Sequence, residues 1–277
     1  MRCGRISYTN VLPLYAAFDA RAVDFPGSLH AGVPAALNRM LRSGELHCSP
    51  LSSVFYAQHW EQFSLFADLC VAADRRAHSV YCVWSNPLSE LAGQTVTVTP
   101  ESATARALLD VICRTWYGFA PEFAESGDAF AAYAMDGRPC LLIGDKAIDA
   151  ALNTPPQHLH DLGAVWHEKT GQPMVFAVWA VRNDFRAAQP QAVAAASAAF
   201  ARALAWSAEN HERVVAQAQA QSPRAAGFYD AYYRDLGFVL DERRRAGLRA
   251  FFQAAAQCGV LAVAPQFAPA EQVGVNV

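Results

Sequence analysis

Twice in this 277-residue chain a β-rich run leads through a turn of hydroxyl residues into a helical pattern, and that plan restricts the fold more than any other feature. Leu46 to Leu51 reads as a strand and runs into Ser52-Ser53, whose hydroxyls can cap the helix that Val54, Phe55 and Ala57 continue. Thr95-Val96-Thr97-Val98-Thr99 alternates as a half-buried strand does, and Pro100-Glu101-Ser102-Ala103-Thr104 leads it into the helix Ala105 to Trp116. Strands interleaved with helices in this way form sheets covered by helices. At such turns unpaired backbone N–H groups and the positive end of a helix point outward together, so α/β folds collect anionic ligands there.

The flanking patterns extend the plan. Arg5 to Tyr8 reads as a strand, Val11 to Asp19 as a helix, and Val23 to His30 as a second strand. Pro34 suits a first helical turn, Ala35, Leu37, Met40 and Leu41 give that helix an apolar face, and Gly44 is placed to end it. A second module begins after Asn86-Pro87, with further strand candidates at Ala120 to Ala124 and Pro139 to Ile143; Gly144-Asp145 then precedes another helix. The apolar run Val175 to Val181 is strand-like and carries the chain back to the first module. The remainder reads as helical, in segments Gln191 to Asn210, His211 to Ala220, Arg224 to Tyr233 and Asp241 to Cys258, with a Pro-rich tail from Pro265 expected to be loosely held. Crossings near residues 80–86 and 176–183 make the second lobe an insertion: residues 1–83 and 179–277 form lobe I, residues 84–178 lobe II, and a hinged cleft lies between them. With 53% hydrophobic residues the chain can bury a core for both lobes.

Composition removes several function classes. A net charge of −3 offers no basic surplus for phosphates, and no helix-turn-helix region is visible, so nucleic acid is not expected as a partner. Met1-Arg2-Cys3-Gly4-Arg5-Ile6 moves straight into a strand without an apolar signal core, which predicts a cytoplasmic setting. The Ala-rich stretch Pro190 to Ala208 is interrupted by Gln191, Ser197 and Arg202, so no membrane span is expected. Seven scattered cysteines, with no C-x-x-C pair, read as reduced and mostly buried hydrophobes. His158-x-His160 is the only close histidine pair, so no metal is expected. The absence of Gly-x-Gly-x-x-Gly and of a phosphate loop argues against dinucleotides and ATP, and the chain is expected to work without a cofactor. A homodimer remains open.

Several motifs, in order, carry a resemblance. Gly4-Arg5-Ile6-Ser7-Tyr8-Thr9-Asn10-Val11-Leu12-Pro13-Leu14-Tyr15 is followed by Ser49-Pro50-Leu51-Ser52-Ser53-Val54-Phe55-Tyr56, Ser79-Val80, Glu101-Ser102-Ala103-Thr104, Leu142-Ile143-Gly144-Asp145-Lys146-Ala147 and Asp161-Leu162-Gly163 leading to Trp166. Thr170 to Ala177 and Trp179 complete the set. Together they resemble the chorismate dehydratases of the futalosine route to menaquinone, the MqnA family, over most of residues 1–183. The resemblance implies a two-lobed periplasmic-binding-protein type II fold, with mixed sheets, helices on both faces and a ligand cleft. It also implies a cytoplasmic hydro-lyase that converts chorismate to 3-[(1-carboxyvinyl)oxy]benzoate. One departure is visible: the family often has Ser-x-Thr-Ser at the second-lobe turn, whereas Thr104 is followed here by Ala105.

Such a substrate carries two carboxylates and a ring hydroxyl, so its site needs anion donors and a way to move one proton. Asn10 and Asp145 are the candidate catalytic residues. Tyr8, Ser52, Ser53, Ser79, Ser102, Thr104, Gly144, Thr170 and Phe176 are the candidate substrate contacts. Each has a structural alternative: the hydroxyls can serve as helix caps, Asn10 as a helix-entry turn, Asp145 as a capping residue, and Phe176, Trp166 and Trp179 as core aromatics. Loss of the ring proton at the ether position can be stabilised through the diene by the ring carboxylate, which points to a stepwise carbanion path. The base is either Asp145 or the substrate's own enolpyruvyl carboxylate. Three other readings stay open: a non-catalytic carboxylate-binding protein, the sister 1,4-dihydroxy-6-naphthoate synthase, and the ligand domain of a DNA regulator.

Overall fold

In the computed structural model, which describes residues 1–267, the chain builds two sheets. The first opens with β1 (Arg2–Arg5), α1 (Leu12–Asp19), β2 (Ser28–Ala31), α2 (Pro34–Ser43), β3 (Cys48–Ser52), α3 (Ser53–His59) and β4 (Phe63–Ala73). β1 runs parallel to both β2 and β3. α2 has the expected punctuation: Pro34 enters its first turn and Gly44 closes it at φ +84°, a left-handed conformation in which glycine carries no Cβ penalty.

The second sheet takes β5 (Val80–Val83), β6 (Thr95–Val98), α4 (Ala103–Ile112), β7 (Glu122–Glu125), α5 (Phe130–Asp136), β8 (Cys140–Ile143), α6 (Gly144–Leu152), β9 (Leu159–Asp161) and α7 (Leu162–Thr170). The chain then returns through β10 (Met174–Arg182), α8 (Asn183–Ala188), α9 (Pro190–Glu209), α10 (His211–Gln221), α11 (Phe228–Asp235), β11 (Leu236–Val239) and α12 (Glu242–Gln257). Strand order is β11-β4-β10-β3-β1-β2 in one sheet and β7-β6-β8-β5-β9 in the other.

The sheets divide the chain elsewhere than at residues 83–84 and 178–179. β5 pairs antiparallel with β8 and β9 of the second sheet, while β10 pairs with β4 of the first from end to end and with β3 over Ala177–Val181. The crossings therefore fall at residues 74–79 and 171–173. β5 and all of β10 before Arg182 are apolar because both are interior to a sheet, and such runs do not say which sheet owns them. β4, β9 and β11 went unforeseen for local reasons: β4 is interrupted by a bulge, β9 has three residues, and β11 contains Gly237 in a region read as wholly helical. Val23 to His30 shrinks to the four residues of β2.

One large apolar cluster joins α3, α4, α7 and α12 with strands of both sheets, through Leu51, Val54, Leu108, Trp166, Met174 and Phe251 among others. A second lies between α1, α9 and the first sheet, where Tyr15, Phe18, Phe25 and Phe66 pack edge-on around Phe200. At the first crossing the buried carboxylate of Asp161 accepts from the N–H groups of Ala77 (3.0 Å), His78 (2.8 Å) and, as N-cap of α7, Ala164 (3.0 Å). Among the described residues no helix is long and apolar enough to cross a membrane. The tail beyond Phe267 lies outside the described residues.

Candidate active site

The turns after β1, β3, β6 and β8 meet in two pairs. In the first pair, the single 3-10 turn Thr9–Val11 abuts the start of α6. Thr9 is buried; its Oγ1 donates to Asp145 Oδ1 at 2.5 Å, and its carbonyl accepts from the Tyr233 hydroxyl at 2.9 Å. Beside it, Asn10 Oδ1 is buried without a hydrogen-bond partner, a rare and unfavourable state for an amide oxygen. Burial, and then the charges of Glu101 and Asp145, hold the Tyr8 phenol above its ordinary range, so Tyr8 sits near carboxylates of the second lobe.

Gly144 opens α6 at φ +62°, and its N–H donates to the Ser79 carbonyl at 2.8 Å. Space is open around the missing Cβ, so the backbone angle is what calls for glycine. The Ser79 hydroxyl donates to Ala77 O (3.2 Å) and accepts from the Tyr232 hydroxyl (2.8 Å). Burial raises both Tyr232 and Tyr233 far above a free phenol, and the nearby charge of Asp145 adds to this. Both stay neutral donors. At the rim, Lys146 pairs with Glu101 at 3.1 Å.

The second pair is already satisfied. Ser52 Oγ caps α3 by accepting from Phe55 N (3.2 Å), Ser53 Oγ donates to Val175 O (2.7 Å), and Thr104 Oγ1 accepts from Val54 N (3.2 Å) across the lobe seam. Ser102 Oγ pairs with Thr99 Oγ1 at 2.6 Å.

Two candidates lie apart from these pairs. Thr170 Oγ1 donates to Trp166 O (2.7 Å) and accepts from Gln172 N (3.1 Å), closing the end of α7. Phe176 sits half-buried in β10 against the large core. Trp166 and Trp179 are wholly core residues, stacked edge-on with Trp116 and Phe251 and hydrogen-bonded to Tyr15 respectively. His158 and His160 are engaged separately, one with the Tyr133 hydroxyl and the other with the carbonyls of Trp84 and Asn86. No group of three metal-ligating side chains occurs among the described residues.

Thr9, Tyr232 and Tyr233 were not foreseen. The one available signal was the tyrosine-rich helix Phe228 to Tyr233, since a buried tyrosine must find a partner for its hydroxyl. Its partners lie more than 150 positions away in sequence.

A model of the menaquinone-biosynthesis family matches residues 1–257. The chain belongs to the menaquinone-biosynthesis family. Within reach of this family, it is 34% identical over 282 aligned residues to the chorismate dehydratase of Thermus thermophilus, covering 95% of this chain and 96% of that one. The chorismate dehydratase of Campylobacter jejuni is 29% identical over 180 residues, covering 63% of this chain and 64% of the relative. The fold of this family member is periplasmic-binding-protein-like: a Candida albicans protein described as having the generic form of that fold superposes with a TM-score of 0.67 at 12% identity, covering 96% and 92% of the two chains.

For this member of the menaquinone-biosynthesis family the two pairs differ in what they can still bind. On one side Ser52 caps α3 and Thr104 holds the Val54 N–H, whereas on the other no side chain caps α6 or the turn into α1. Leading N–H groups that a side chain does not cap are natural donors to a carboxylate.

Proposed function

We propose that this chain is a chorismate dehydratase, a carbon-oxygen lyase that eliminates water from chorismate to give 3-[(1-carboxyvinyl)oxy]benzoate in the cytoplasm. The observation that carries this reading is the buried, unpartnered Asn10 Oδ1 beside the Thr9–Asp145 bridge. The full-length similarity to the Thermus thermophilus enzyme supplies the substrate.

The reaction breaks the C–H bond at the ether-bearing ring carbon and the C–O bond of the adjacent hydroxyl. The proton leaves first, and its electron pair spreads through the diene to the ring carboxylate. Expulsion of hydroxide then completes the benzene ring, and the released proton and hydroxide amount to one water. Because charge grows on the ring carboxylate, donors that grip it act mainly in the transition state; each is worth on the order of 10²-fold to 10³-fold in rate. The Asn10 amide and the uncapped start of α6 are suited to that role. Asn10 Oδ1 accepts from the ring hydroxyl and so fixes the ring's orientation.

Asp145 already receives the Thr9 hydroxyl, which makes it a positioning residue for the turn that carries Asn10. The proton passes to the substrate's enolpyruvyl carboxylate, which covalent geometry holds near it. The test is to incubate purified protein with chorismate and follow an aromatic product lighter by one water, with Asn10→Ala as the control. Tight binding of chorismate with no product at any enzyme concentration would instead make the chain a carboxylate-binding protein.

A further inference from the structure

Beyond the Thr9–Asp145 bridge, α6 keeps one face turned to the first lobe. Asp145, Ile148 and Asp149 stand three and four positions apart, so they share that face. One turn past the bridge, Ile148 is buried in an apolar cluster with Leu12 and Ala16 of α1 and Tyr229 and Tyr233 of α11. Asp149 Oδ1 then ion-pairs with Nη1 of Arg224 at 2.7 Å. Arg224 lies in the corner between α10 and α11, two helices that pack against α1 and β11 of the first lobe. The pair therefore crosses from one lobe to the other.

The corner is built to hold that arginine still. The Gln219 side chain brackets its peptide, with Oε1 accepting from Arg224 N at 2.8 Å and Nε2 donating to Arg224 O at 3.2 Å. The Tyr229 hydroxyl donates to Ser222 O at 2.7 Å. Gln221 Nε2 donates to Ser7 O at 2.7 Å, which ties the same corner to the turn that carries Asn10. Residues 221–224 thus touch both lips of the seam, Ser7 on the first lobe and Asp149 on the second. An ion pair between two flexible, exposed side chains is worth little, because holding both in place costs entropy. Here the Arg224 side chain is only 8% exposed and its backbone is already fixed, so less freedom is lost on pairing.

We propose that Arg224 is a positioning residue for the dehydration: by gripping Asp149 it seats α6, and with it the helix start at Gly144, against the turn that carries Asn10. The substrate comes from the dehydratase reading, on which this rests; the seating itself can be read without substrate. Arg224→Met, Asp149→Ala and the double variant are compared with wild type, and Arg213→Met, at an exposed position of α10, controls for the lost charge. Each single variant raises KM for chorismate about fivefold and leaves kcat within about twofold, because fewer molecules hold the seated form and those that do turn over normally. Amide hydrogen exchange over residues 144–152, measured with no substrate, speeds up by a similar factor. The double variant is no worse than either single one, and Arg213→Met matches wild type. Unchanged exchange over residues 144–152 in both single variants, additive losses in the double, or a fall in kcat at unchanged KM each overturns the proposal. Faster exchange in the variants of a chain that makes no product from chorismate would sink the dehydratase reading and leave the seating of α6 standing.

Discussion

Two places where the lobes touch, each built from a pair of strand-to-helix turns, end in opposite states. On the α3–α4 side every hydroxyl is engaged: Ser53 with Val175, Ser102 with Thr99, Thr104 with Val54, all buried beside the large apolar cluster. On the α1–α6 side the contacts are polar and unfinished, with a bridge from Thr9 to Asp145 and an amide oxygen on Asn10 that meets nothing. A satisfied seam holds two bodies together, and an unsatisfied one has capacity left for a ligand. The two sides differ both in their residues and in which neighbours the fold brings to them.

If that contrast is right, Asn10→Ala has the largest effect and it is purely chemical. Turnover of chorismate falls on the order of 10²-fold to 10³-fold. Its thermal midpoint stays within about 2 °C of wild type, because no protein partner is lost. A large fall in midpoint would mean that Asn10 belongs to the scaffold. Thr104→Val does the reverse. It orphans the Val54 N–H and costs about 1–3 kcal/mol in a urea denaturation series, with turnover at saturating chorismate changed by less than about threefold.

Alkaline pH probes the Tyr232 phenol. Burial raises the pKa of Tyr232 above the 10.0 of a free phenol, so the folded chain keeps this proton where the unfolded chain loses it. Stability from this group is therefore full below about pH 10 and declines above it, by about 1.4 kcal/mol per pH unit. Tyr232→Phe makes the loss of stability between pH 10 and 11 shallower by about 1 kcal/mol, read from urea midpoints. Tyr56 and Tyr81, pushed up to about 12 by burial, keep their own share of the slope in that variant. An identical slope would place the Tyr232 phenol in contact with water. The smallest effect belongs to Asp145→Asn, whose Oδ1 can still accept from Thr9. Turnover stays within about fivefold, less than the loss expected of a general base. A loss beyond about 10²-fold with intact folding would make Asp145 the base.

What was legible in the sequence follows the range of the forces involved. The hydroxyl turns at Ser52-Ser53 and Ser102-Thr104, the glycine that ends α2, and the placement of Gly144-Asp145 at a helix start are written in neighbouring residues. Whether a hydroxyl in such a turn faces a ligand or another lobe is not. Ser53 and Thr104 read identically to open donors until Val175 and Val54 arrive opposite them. The role of Thr170 was equally hidden: its place in a shared motif suggested a ligand contact, and local geometry makes it the close of α7. Tyr232 and Tyr233 lay within a run read only as helical covering, because their periodicity reports burial and says nothing of the turns they reach.

Asp161 fastens Ala77 and His78 to the head of α7, and Arg244 grips Asp74 through two hydrogen bonds of 3.0 and 2.9 Å. Between those clamps the first passage holds only Arg75 and Arg76, and the second passage is residues 171–173. Any swing of one half against the other must be concentrated in these five residues, making this a short-armed joint whose travel is set by two knots and not by the length of the connecting strands.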